Sequence, residues 1–355
     1  MIIMQIKRSI ATLNSMYTFL KNLYSGSFNE QELDSILDHS DYQIEFLRYG
    51  GRVTKKKFKN YLLNVLELSK EQIENEDLRV HHSCYEYFFD NMKKFEEENL
   101  KIEQIFSLEF IKNQLNIARN GLPDDLKIGD ITILFTFGIG MSFGYPYTNE
   151  LGENFIHFDV LQLVRDFSIE ELKYQLAHEI HHVGVNQLHE MINLSKLPLE
   201  QLFLLYFSGE GLAVKYCNNA QGILSKLLYP DKEPNLGLDN TSWNYLNDHF
   251  NEYFNHFVDD LHNIREGKIG NQEELGDIIG SYWMNAHTED QSEDEPGILK
   301  QLPLYSFGNE LWGVIHDQFG KEQVYELFNN LDEFIPKYNE AIKSIGKSEF
   351  VLPER

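Results

Sequence analysis

Five consecutive residues, His178-Glu179-Ile180-His181-His182, carry side chains at a spacing that suits metal chemistry. On an α-helix, residues four apart return to nearly the same face one turn up, so the imidazoles of His178 and His182 can close on one ion. Glu179 sits one step round from His178, where a carboxylate can take a proton from a metal-bound water. Two imidazoles and a carboxylate suit zinc, one ion per chain, and leave a fourth place for that water. The same donors also bind manganese, cobalt and nickel, so the spacing alone does not choose among them.

The elements that must position these groups can be read around them. Ser168 followed by Glu171 is a capping box that starts a helix at about residue 169. Leu172, Leu176, Ile180 and Val183 recur at spacings of four, four and three, which predicts a helix buried on one side. A third ligand is needed. An extended motif would place glycine at 185 and histidine at 188, but Val185 and Leu188 stand there. His189 lies seven residues past His182, about 10 Å along the axis and out of reach of the same ion. Glu210 is the better candidate, in Phe207-Ser208-Gly209-Glu210-Gly211, within a second helical run opening near Pro198. Each flanking glycine costs about 1 kcal/mol of helix preference against alanine. That cost has a purpose if the missing β-carbon lets this helix press its carboxylate onto the metal. A merely solvated Glu210 would leave the glycines without one.

With these residues in place, the chain resembles the gluzincin metallopeptidases, zinc enzymes with H-E-x-x-H on one helix and a glutamate ligand on the next. Ala177-His178-Glu179-Ile180-His181-His182 and Gly209-Glu210-Gly211-Leu212-Ala213 are similar to the two signature segments. The likeness is nearest to bacterial zinc-dependent peptidase families whose natural substrates are unknown. It is specific over about residues 130–220 and thinner from 275 to 330. It implies His178, His182 and Glu210 as ligands, Glu179 as the base, and a peptide or protein as substrate. Thermolysin-like members carry an acid four residues after the ligand glutamate, and here that position is Val214. Asn186 and Asp159 are the candidates to orient a ligand histidine in its place.

The formal charge of −25 over 355 residues disfavours nucleic acid, whose phosphates call for basic patches, and anionic membrane surfaces. No stretch approaches 18 uninterrupted apolar residues, so no spanning helix is expected. The opening residues put Lys7 and Arg8 after a short apolar run, the wrong order for a signal peptide, and a cytoplasmic location follows. Cys84 and Cys217 lack metal-binding spacing and are read as reduced, buried thiols.

The expected class is α+β, mainly helical, with a small mixed sheet next to the H-E-x-x-H helix. Residues 1–125 form an N-terminal helical region, 126–225 the zinc-binding core and 226–355 a C-terminal helical region. His81-His82 read as the entry to a helix. Ile131–Phe137 and Phe155–Val160 are β-branched and aromatic strands. In gluzincins an edge strand beside the cleft binds extended substrate backbone. His157 is read as a sheet-surface histidine, with a cleft-facing position as the alternative. The acidic run at 289–295 is read as a solvated loop, with a lid as its functional alternative. Gluzincins commonly draw a tyrosine or histidine from their C-terminal helices to stabilise the oxyanion. By that resemblance Tyr305, at the mouth of a helix through Leu311 and Ile315, is the candidate, with His316 and Tyr282 in reserve. The rival from another class is a zinc-bearing, non-catalytic scaffold or regulatory protein. A shorter protease acting on repressors is a second rival, but it calls for a DNA-binding neighbour that this acidic chain does not suggest.

Overall fold

A computed structural model of the chain describes residues 6–140, 145–149, 152–166, 169–232, 240–285 and 301–354. Helices dominate, with one four-stranded mixed sheet, so the expected α+β class holds. Ser168, expected to cap the motif helix, lies outside the described residues, as do the acidic run at 289–295 and most of the break between Pro230 and Asn240.

The strands are β1 (Ile6–Ser9), β2 (Ile131–Thr136), β3 (Tyr145–Thr148) and β4 (Asn154–Asp159). Their spatial order is β1-β2-β4-β3, with β1, β2 and β4 parallel and β3 antiparallel on the edge. Strand β1 departs from the all-helical expectation for the first 120 residues. It is four residues long and pairs Ile6 with Ile131, a partner that no local pattern reveals. Strand β4 is buried along its whole length, as central parallel strands are, which explains its near-continuous apolar run.

By contact the chain divides into two compact units. The first comprises Met1–Gln114 and Ile128–Glu179, the second Leu115–Lys127 and Ile180–Arg355. The first unit holds the sheet and an aromatic core in which Phe88 meets Phe95 and Phe137 edge-on, with ring centroids 4.9 and 5.6 Å apart. Within it, the helix Ser40–Arg48 is tied to the sheet by a buried polar chain. Arg48 bonds His157 Nδ1, His157 Nε2 donates to Thr136 Oγ1 at 2.6 Å, and Thr136 donates to Glu45 at 2.8 Å. Arg48 as donor to Nδ1 fixes the imidazole as the Nε2–H tautomer. Burial, then Arg48, holds the His157 pKa well below its ordinary value, so this ring is neutral. His157 is thus neither on the sheet surface nor in a cleft: at 2% exposure it is a paired core residue.

The second unit is built on the helix Leu199–Cys217 and the long run Pro303–Asn329, which Gly320 interrupts at φ +84°. Phe207, Phe257, Trp283 and Phe307 form its aromatic centre, with Phe207 and Trp283 centroids 4.8 Å apart. Buried Glu310 accepts from the amides of Ile223, Leu224 and Ser225, which pins the loop after the Leu199–Cys217 helix. No helix among the described residues is long and apolar enough to cross a membrane.

Candidate metal centre

The motif helix runs Ile169–Met191. The predicted one-sided burial is exceeded: Gln175 to Val185 are buried throughout, His178 at 2%, Glu179 at 6% and His181 at 0% exposure. A helix buried all round with this many polar side chains must supply each with a partner or a ligand. His181 turns to the Tyr325 hydroxyl at 3.3 Å, and that hydroxyl donates to Gly121 O at 2.6 Å. Gly184 is the point where Leu122 seats, since a β-carbon there would stand 2.3 Å from its Cδ1.

The helix Leu199–Cys217 carries Glu210 to the motif. His182 Nε2 and Glu210 Oε2 stand 3.1 Å apart, and the ligand atoms of His178, His182 and Glu210 all lie within 4.8 Å of one another. Among the described residues this is the one group of three or more His, Cys, Asp or Glu able to hold a metal. The donor set fits zinc. Tetrahedral zinc with bonds of about 2.0–2.2 Å puts its ligand atoms roughly 3.3 Å apart, close to the His182–Glu210 separation. Three protein donors leave one place over. The pocket is half-closed, with the His182 and Glu210 side chains 11% and 24% exposed.

The glycines around Glu210 behave differently from one another. A β-carbon on Gly209 would meet His182 Nδ1 at 4.0 Å, an ordinary contact. At Gly211 it would stand 2.2 Å from the Gly308 carbonyl carbon. The expected close approach is therefore made by Gly211, against the Pro303–Asn329 run and not against the motif helix. That packing aims the neighbouring carboxylate from behind.

His189 lies outside the three-donor cluster, but it has a task. Its Nε2 bonds Ser208 Oγ at 3.2 Å, and its ring stacks on Phe328 with centroids 5.6 Å apart. Because Ser208 already donates to Leu205 O at 2.7 Å, His189 is the donor, and the bond ties the motif helix to the turn just before Glu210. Burial, with the His182 charge as a smaller cause, pushes the His189 pKa down to about 4, so the ring is neutral. Sequence reasoning missed this pair; the seven-residue step from His182 to His189, which returns to one helix face, was the available signal.

Other candidates are placed elsewhere. Asp159 accepts from the amides of Gly140 and Leu161, and Asn186 is exposed, so neither is seen to orient a ligand histidine. His316 Nδ1 is bonded to the Tyr216 hydroxyl at 2.9 Å, and Tyr282 stacks on His256 with centroids 3.5 Å apart. Tyr305, one turn before Gly308, is partly buried against Val214, Ala220 and Trp243. Cys84 and Cys217 are buried and carry no disulfide, and His82 opens a helix with its Nδ1 bonded to the Tyr61 hydroxyl.

No curated protein and no solved structure matches the chain. A family model does, over residues 33–347, which takes in every residue of the three-donor cluster. The chain belongs to that family, described as "Putative zinc dependent peptidase (DUF5700)".

Proposed function

We propose that this chain is a zinc metallopeptidase of the gluzincin type, hydrolysing peptide bonds with one zinc ion per chain. The observation that carries the reading is the convergence of His178, His182 and Glu210, with Glu179 adjacent to His178 in sequence and outside the donor set. Zinc bound there supplies a polarised carbonyl and a water acidified towards neutrality.

The chain's own residues do the rest. His178 and His182 present ring nitrogens one helical turn apart on a buried segment, and Glu210 contributes a carboxylate oxygen. Glu179, 6% exposed, is shielded enough for its carboxylate to act as a base. It takes the proton of the attacking water and hands it to the leaving amine. Tyr305, near the Gly211–Gly308 crossing, is assigned to donate a hydrogen bond to the oxyanion. Three donors among the described residues match the three-ligand pattern of catalytic zinc, which supports catalysis over the scaffold reading. A cytoplasmic location belongs to the same proposal, and two buried cysteines without a disulfide are compatible with a reducing medium.

The test is Glu179→Gln, which keeps shape and hydrogen-bonding size but cannot take a proton from water at neutral pH. Zinc content and melting temperature should stay near wild type while hydrolysis of a peptide library falls at least about a hundredfold. Wild-type protein inert across that library, with zinc held by four protein ligands, would establish the scaffold instead.

A further inference from the structure

The motif helix ends at Met191 in a feature the proposed chemistry does not use. A cleft of about 870 Å³ opens there, walled by the last turn of that helix, by residues 123–127 and by the stretch 321–329. Its floor is apolar: Tyr325 and Phe328 are largely buried, Leu188 is half-covered, and Met191 stands at the lip with 79% of its surface exposed. Its rim is acidic. Asp124, Asp125, Glu190, Glu322 and Glu326 line it against two lysines, and Lys321 is already held by Asp124 at 2.7 Å. The carbonyl end of a 23-residue helix adds partial negative charge on the same side.

An apolar floor of this size gains by covering, and an acidic rim selects against anionic partners. We infer that the cleft binds a basic, amphipathic stretch of polypeptide, with apolar side chains over Leu188, Met191 and Phe328 and lysine or arginine against Glu190 and Glu326. Glu190 lies eight residues beyond His182 on one helix, about 12 Å along its axis. An extended chain covers that length in about four residues. Resting on the peptidase reading, the cleft then defines the substrate class: polypeptides carrying a basic amphipathic segment some four or more residues from the bond that is cut. The exposed methionine suits such a role, because its unbranched thioether adapts to varied apolar side chains.

The experiment uses a fluorescein-labelled peptide with lysine and leucine at helical spacing, titrated by anisotropy against full-length Glu179→Gln protein. The expected result is saturable binding that weakens with salt and drops at least about tenfold in Glu190→Lys/Glu326→Lys. A control reversal of two exposed acids elsewhere, Glu273→Lys/Glu349→Lys, should change binding less than about twofold. Met191→Ser should weaken it measurably, and a peptide with serine for each leucine should bind at least about tenfold more weakly. Equal weakening by the two double reversals, or equal binding of the serine peptide, would overturn the inference and leave only the attraction of a chain of charge −25. Binding is read without hydrolysis, so the two readings fail separately. Cleavage by wild type that ignores the cleft variants sinks the cleft, and cleft binding without any cleavage sinks the peptidase.

Discussion

Gly211 and Gly308 cross backbone to backbone, with no room for a β-carbon on either. One on Gly308 would lie 2.4 Å from Phe207 O, and one on Gly211 as near to the Gly308 carbonyl. Glu210 is the residue next to that crossing, so the packing of two helices also sets where one of the three clustered donors stands.

Gly211→Ala should therefore lower stability by about 1–3 kcal/mol, the ordinary cost of overpacking, and weaken zinc binding with it. Gly209→Ala is the control: its new methyl meets only an ordinary contact, and alanine gains up to about 1 kcal/mol of helix preference. Thermal melts and a chelator competition on both variants check this. Equal damage from the two would show that the crossing does not direct Glu210.

Removing a donor should empty the site. Wild type is expected to carry one zinc per chain, and His178→Ala, His182→Ala and Glu210→Ala are each expected to lose most of it, measured by elemental analysis. Normal zinc in Glu210→Ala would show that the third ligand lies elsewhere.

Turnover should separate the base from the oxyanion donor. Tyr305→Phe keeps the ring packed against Val214 and Trp243 and removes only the hydroxyl, with melting followed alongside as the control for folding. Peptide turnover should fall about tenfold or more, less than in Glu179→Gln, because one oxyanion donor is lost while the base remains. An unchanged turnover number would reduce Tyr305 to a packing residue.

Stability should also depend on pH through the buried chain beneath the sheet. Burial, and then the nearby Asp159 carboxylate, push the Glu45 pKa up to about 8, above its ordinary 4.5. Between those values the folded state keeps a proton that the unfolded chain has released, so stability falls as pH rises through that window. The melting temperature of wild type relative to Glu45→Gln should decline from about pH 5 to pH 8, because the amide has no proton to lose. The comparison cancels the opposite slope of the buried neutral His157 and His189, which both proteins share. A Glu45→Gln profile as steep as wild type would place the titration elsewhere.

How far the sequence spoke for itself follows from distance along the chain. The motif helix, the second helix and strands β2 and β4 carry their signals within a few residues, as period and β-branching. Three ligand candidates converge because two share a helix and the third is flagged by its glycines. Strand β1 escaped because four residues, two of them Lys7 and Arg8, show no period and pair with a strand beyond residue 130. His157 was misplaced for the same reason: its partner Arg48 is 109 positions away. Gly211 announced a close approach, but nothing local said that Gly308 would receive it.

Leu122 plugs Gly184, and Gly121 lies against Tyr216, so a short stretch made early in synthesis is structural material for helices made much later. Tyr325, which caps Gly121 O, is 204 positions further on. Residues 115–127 thus have no finished home until the stretch around Tyr325 has been made. The half of the protein that carries Glu210 cannot be cut out as one continuous fragment: a piece starting at 180 would expose the socket of Leu122 beside the motif helix. Closing so long a loop costs chain entropy that is offset only once these distant contacts form.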